Sequence, residues 1–191
     1  MNAYVRALQT ADPHRFTLDE VLRMQDAGIL DPDTRVELID GGLIEMAPEG
    51  APHVRTKMQL AMSLMSRAGP TVQVIVDSTL RLSPFSAPDP DLYLYASELA
   101  LEAVDGASVG LVVEVAQATL ATDLTAKAQL YAQHGVRDYW VVDIRTREIV
   151  VHRAPSDGAY GSVTIIRADE AATPLAFPHL SLKLADLPSI R

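Results

Sequence analysis

Leu-Val-Val-Glu-Val-Ala, residues 111–116, is apolar on both faces and rich in β-branched side chains. That is the pattern of a strand covered on both sides within a sheet. Alternation places Val112, Glu114 and Ala116 on one face and Leu111, Val113 and Val115 on the other. The carboxylate is out of place there. Burying a lone one costs several kcal/mol unless it is paired, protonated or bound to a metal. Glu114 is therefore an edge-strand residue facing solvent, the partner of a buried arginine, or a functional group.

Downstream of this strand, Asp123–His134 has the helical period, with Thr122 as its cap and Gly135 as its stop. Strands are predicted at Asp138–Ile144 and Glu148–Arg153, joined by a tight polar turn, and again at Ser162–Arg167 and Leu180–Leu184. Upstream, Asp91–Ala96 reads as a short strand after a loop stiffened by Pro84, Pro88 and Pro90, and Ser97–Val104 as a helix. Val72–Leu82 reads as a strand interrupted by Asp77 and Ser78. His53–Ala68 is a helix with Val54, Met58, Ala61 and Met65 at the helical period, closed by Gly69-Pro70. Arg35–Met46 alternates around Asp40-Gly41, a strong hairpin signal. Thr17 and Glu20 form a capping box for a short helix that stops near Gly28. Residues 1–15 read as an arm and 16–191 as one domain. Helices alternating with strands predict an α/β fold, a mixed β-sheet flanked by helices.

Composition narrows the function. A chain of 191 residues, 48% apolar, suffices for one substantial core. With no cysteine, disulfides, thiolate-bound zinc, iron–sulfur clusters and thiol catalysis are excluded. Sixteen basic against 25 acidic residues give a net charge of −9, which opposes nonspecific binding to polyanions and anionic membranes. The start of the chain has no apolar signal-peptide core, and its longest apolar run falls far short of the ~20 residues that span a bilayer. A cytoplasmic protein without a membrane partner is expected.

Three residues carry the chemistry. Asp91 opens a strand and alternates with Tyr93 and Tyr95, although turn aspartates beside prolines are common, and Asp89 is a rival. Lys127 follows Asp123 by four residues, which on its own reads as a surface pair worth a few tenths of a kcal/mol. Taken with Glu114, they form a set that can hold a divalent ion and a water. Hard cations prefer oxygen ligands, a bound ion acidifies water, and a lysine can orient or deprotonate that water or neutralise developing charge.

This set resembles that of the PD-(D/E)XK nuclease superfamily. Within it the chain resembles the Uma-two family, named as putative restriction endonucleases. The matching segments are VELIDGGLIEM (Val36–Met46), His53, PDLYLY (Pro90–Tyr95), LVVEVA and DLTAKAQLYAQHGVRDYWVVD (Asp123–Asp143). The resemblance implies a restriction-endonuclease-like core. It also implies a DNA endonuclease that hydrolyses phosphodiester bonds with a metal-activated water. Asp91, Glu114 and the Val115 carbonyl would hold Mg2+, with Mn2+ as a substitute. The usual lysine two positions after the glutamate is replaced by Ala116, and Lys127 is the matching lysine. Glu37 would be an outer ligand or water acceptor, with a surface ion pair as the equal alternative. His53 would contact phosphate or, in the favoured reading, cap its helix. Gln117 departs from the family's serine. Two other functions are compatible with the sequence: a non-catalytic nucleic-acid- or protein-binding module on the same fold, and a metal-dependent hydrolase of a smaller phosphate ester, which the acidic surface would suit. DNA is the expected partner, and a homodimer is expected because many nucleases cut both strands as dimers.

Geometry follows from these assignments. Asp91 and Glu114 should face one cavity, close enough to share an ion, with mutual repulsion raising the pKa of at least one. The Lys127 ammonium should point to Glu114 and not to Asp123. Trp140 should pack on the preceding helix and not serve, with Arg137, Asp138 and Tyr139, as a stacking surface. His134 should be a helix C-terminal cation or polar cap.

Overall fold

The computed structural model describes residues 13–31 and 33–188, so the expected arm lies outside the described residues up to position 12. The Thr17 hydroxyl accepts from the Glu20 amide, and the Glu20 carboxylate accepts from the Thr17 amide. This capping box opens α1 (Leu18–Asp26). The hairpin of β1 (Val36–Ile39) and β2 (Gly42–Glu45) turns on Asp40 and Gly41, with φ of +50° and +80°. Two consecutive positive φ values are what a two-residue type I′ turn requires. The hairpin is a two-stranded sheet of its own. Backbone bonds from Gly41 N to Phe85 O and from Ala87 N to Leu38 O fasten it, with a small cluster of Val21, Leu38 and Ala87.

After α2 (Ala51–Ala68), six strands form one sheet in chain order. They are β3 (Val72–Val76), β4 (Leu92–Ala96), β5 (Leu111–Ala116), β6 (Asp138–Asp143), β7 (Glu148–Ser156) and β8 (Ala159–Ile166). β5 and β6 are parallel and the other four pairings antiparallel. A parallel pair needs a crossover. Here it is a helical run: α3 (Leu120–Thr122), a π-helical segment (Asp123–Lys127) and α4 (Ala128–Gln133), closed by Gly135 at φ +79°.

Every residue of β5 is buried, as its composition predicts. Leu111, Val113 and Val115 join Trp140, Val142, α2's Leu60 and Leu64 and the C-terminal Leu180 and Leu182. Val112 and Ala116 join Tyr93, Tyr139, Val141 and α4's Leu130 and Tyr131. The architecture is a mixed sheet flanked by helices. No helix among the described residues is long and apolar enough to cross a membrane.

Several expectations need correction. The buried stripe of α2 is Lys57, Leu60, Ala61, Leu64 and Ala68, while Val54, Met58, Met62 and Met65 are exposed. Ala61 borders both stripes, so periodicity alone could not choose between them. β3 ends at Val76, where Asp77 turns the chain with φ of +49°. Ser97–Val104 holds only the 3-10 turn Leu101–Ala103. The crossover helix begins before Thr122, so that residue lies inside it and caps nothing. Leu180–Leu184 is two 3-10 turns around the isolated bridge Ala172–Leu182, not a strand.

Trp140 packs on the α2 face and its neighbour Tyr139 meets Tyr131 of α4, because adjacent strand residues point to opposite faces. The Trp140 indole donates to Asp138 at 2.8 Å, and Arg153 and the Leu175 amide also donate to that buried carboxylate. With Asp138, Tyr139 and Trp140 all buried, this run is core and not a stacking surface. His134 caps α4, but burial lowers its pKa, which disfavours the expected cation.

Candidate active site

Adjacent residues of β1 serve opposite purposes. Leu38 enters the small cluster under the hairpin, and Glu37 points the other way, into a cleft. Across the main sheet, Leu92 of β4 pairs with Val113 of β5. One step further along that register sets Asp91 opposite Glu114, where cross-strand side chains share a face. The cleft that Glu37, Asp91 and Glu114 enter has a volume of about 370 Å³. It is also lined by Lys127, Val115, Gln117 and His53.

One side of the cleft is organised by Lys127. Its ammonium donates to Glu114 Oε1 at 3.0 Å and to Glu37 Oε1 at 3.1 Å. Tyr131, one turn later on the same helix face, donates to the same Glu114 oxygen at 2.8 Å. Glu37 Oε1 also accepts the Asp89 amide at 3.1 Å. Burial pushes the Glu114 carboxyl up to about 8; Lys127 opposes this, while the Asp91, Asp123 and Glu37 charges add to it. Burial acts to lower the Lys127 pKa, but Glu114, Glu37 and Asp123 together outweigh burial and raise it. Lys127 therefore keeps its proton. As a cation it can donate and neutralise charge.

The other side is organised by Lys57 of α2, only 2% exposed. Its ammonium lies 2.5 Å from Glu49 Oε2, 2.6 Å from Asp77 Oδ1 and 3.5 Å from Asp91 Oδ1. His53 Nε2 lies 2.8 Å from Asp91 Oδ1 and 3.6 Å from Glu49 Oε2. The other Asp91 oxygen accepts the Val115 amide at 2.6 Å. Burial opposes the His53 cation, but the Asp91 hydrogen bond and the Asp91 and Glu49 charges raise its pKa overall. His53 thus grips an acid instead of capping its helix, whose N-cap, Gly50, has no side-chain hydrogen bond.

The cleft therefore gathers Asp91, Glu114, Lys127, Glu37 and Val115, and the Lys127 ammonium points to Glu114 as expected. The contact between Val115 and Asp91 runs through the Val115 N–H. Sequence reasoning missed Glu49, Lys57, Asp77, Asp123 and Tyr131. A signal for two of these was present: Glu49, His53 and Lys57 are spaced by four, the step that lines up one helix face.

Ligand atoms of Glu49, His53 and Asp91 all lie within 4.8 Å of one another. Two carboxylates and an imidazole are a donor set that suits a divalent ion. Glu114 stands outside that group of three, on the Lys127 side.

The Uma2 family model, described as "Putative restriction endonuclease", matches residues 18–185. The chain belongs to the Uma2 family. The matched span includes every cleft residue named above. A solved structure described as a putative nuclease belonging to DUF820, from Anabaena variabilis, superposes with a TM-score of 0.71 at 16% identity. The alignment covers 90% of this chain and 96% of that one. At that identity the likeness establishes the fold, which this Uma2 protein shares with the Anabaena chain. None of the curated proteins compared matches the sequence.

Proposed function

We propose that this Uma2 chain is a metal-dependent endonuclease that hydrolyses phosphodiester bonds in DNA. The observation that carries the reading is the meeting of Asp91, Glu114 and Lys127 in one cleft. Mg2+, or Mn2+ in its place, would be held by Asp91 and Glu114 with the Val115 carbonyl. The Glu49 carboxylate beside Asp91 adds a further oxygen donor. A bound divalent ion supplies an acidified water and offsets phosphate charge.

The chain's own residues do the rest. The Val115 amide and His53 fix the orientation of the Asp91 carboxylate. Lys127, held protonated, neutralises the charge that develops on the phosphate, and the Glu37 carboxylate would take the proton that the attacking water gives up. Glu37 anchors that ammonium from the hairpin side. The chain would act as a homodimer with one such cleft in each copy. Incubating supercoiled plasmid with Mg2+, Mn2+ or EDTA tests the reading. Metal-dependent nicking by the wild type, lost in Asp91→Asn, Glu114→Gln and Lys127→Ala, is expected. Nicking that survives EDTA or all three substitutions overturns it.

The net charge of −9 and the glutamine at position 117 favour a second reading, a non-catalytic nucleic-acid- or protein-binding module on the same fold. Plasmid that is bound but never cut would identify it.

A further inference from the structure

We infer that the cleft accepts one nucleotide of an unpaired strand and excludes intact duplex. The inference rests on the nuclease reading above and narrows its substrate. The shape of the cleft carries it, and its charge limits the contact to a short stretch of backbone.

Glu37, Asp91 and Glu114 are each less than a tenth exposed, at the floor of a cavity of about 370 Å³. That is near the lower end of the ~300–1,000 Å³ typical of small-molecule pockets. One wall is the hairpin and the loop after it, which line the cavity with Ile39, Ile44, Met46 and Pro48. A phosphate in a stacked duplex brings its base pair and the second strand with it, more than a cavity of this volume holds. A nucleotide swung out of a strand needs only a pocket with an apolar wall against its base. Enzymes that work on extruded or unpaired bases hold them in that way.

Charge limits how much of any backbone the cleft can hold. Proteins that bind duplex follow its backbone with lysines and arginines and release counterions. Among the described residues lining the cleft, Arg35 and Lys127 alone carry a permanent positive charge, and both are engaged. Arg35 pairs with Glu49, and Lys127 with Glu37 and Glu114. The cleft carboxylates outnumber these cations. Affinity has to come from apolar contact with the base and from the divalent ion, with few backbone phosphates neutralised.

The test is fluorescence anisotropy with a labelled oligonucleotide in Ca2+. It is offered as a single strand, as a blunt duplex and as a duplex with a short unpaired flap. The single strand and the flap should bind at least about tenfold tighter than the blunt duplex. Raising salt from 50 to 200 mM should weaken single-strand binding only a few-fold, against the ~10³–10⁵ lost by proteins that contact 6–10 phosphates. Ile44 is 47% exposed, so Ile44→Asp leaves the fold intact and should weaken single-strand binding by about tenfold, the effect of losing one buried apolar contact. In cleavage assays, supercoiled plasmid, whose strands open more readily, should be cut, and relaxed closed circles should resist.

Blunt duplex binding as tightly as single strand, or an Ile44→Asp protein that binds normally, overturns the inference. If supercoiled and relaxed plasmid are then cut equally, the nuclease reading survives without it. Single-strand binding that Ile44→Asp weakens, with no plasmid cut, overturns the nuclease reading and leaves the pocket assignment standing. Failure to bind any of the three oligonucleotides overturns the inference.

Discussion

Lys57 and Lys127 flank the same cleft, both nearly buried and both set between acids, but they are held in different ways. Lys57 rises from the apolar stripe of α2 and meets Glu49 and Asp77, with Asp91 just beyond. On Glu49, burial would raise the pKa, but hydrogen bonds from Arg35 and Lys57 outweigh it and hold the group low. Lys127 meets Glu114, whose carboxyl burial has pushed up toward neutral pH. The first lysine neutralises an acid that stays charged. The second faces an acid able to take up a proton. A buried ion pair whose partners cannot neutralise themselves is structural in effect, whereas one whose acid can change protonation state is suited to chemistry.

Removing each lysine in turn is the strongest way to break this comparison. Lys57→Met strands ionised carboxylates beside the core and should cost about 3–5 kcal/mol, the usual penalty for breaking a buried pair from one side. Lys127→Met should cost clearly less, because Glu114 can protonate. Urea unfolding of both variants measures the difference, and equal losses would erase the distinction. Activity should rank the lysines the other way. Lys127→Ala should lower the cleavage rate about 10²–10³-fold, the range for losing one positioned charge-stabilising donor, while its melting temperature moves little.

Proton linkage sharpens the contrast. Glu114 has a folded-state pKa above its unfolded value, so the folded chain holds a proton that the unfolded chain releases. Stability is then lost as pH rises from about 4.5 to about 8 and is level beyond. Glu114→Gln, compared with wild type in EDTA at pH 5, 7 and 9, should gain relative stability by about 1–3 kcal/mol across that window. A pH-independent difference would mean that Lys127 holds Glu114 ionised throughout.

The smallest effect belongs to His53. Its raised pKa makes its contribution complete below about pH 6.5 and lost as pH climbs through the higher folded-state value. His53→Gln should therefore cost about 1 kcal/mol at pH 6 and less at pH 9. The same urea series checks it.

The residues legible in the sequence were those with a local physical signature. β5 was readable because five apolar residues surround one acid, and the hairpin because Asp40-Gly41 suits a turn with two positive φ values. Lys127 could be assigned only through the family pattern, since an acid–lysine spacing of four is ordinary on a helix surface. The phase of α2 was unreadable because Lys57 reads as a solvent marker and the exposed methionines as core. Its burial depends on Glu49, just ahead of the helix on the same step of four, and on Asp77, which sits in a loop with no periodicity. The π-helical segment has no compositional mark. Glu114 is raised first by burial, with the Asp91 charge a smaller contribution than the expected repulsion assigned to it, and the Asp91 carboxylate is held by the Val115 amide, His53 and Lys57.

The crossover between the parallel strands also bears on how the site assembles. Glu114 and Lys127 are 13 residues apart in the chain, whereas Glu37 and Lys127 are 90 apart. Loop-closure entropy grows with the logarithm of that separation, so the shorter contact is cheaper to close by about 1.7 kcal/mol. The buried Glu114 thus finds its cation within a single strand–helix–strand unit. The hairpin closes over an ion pair that this unit can form without it.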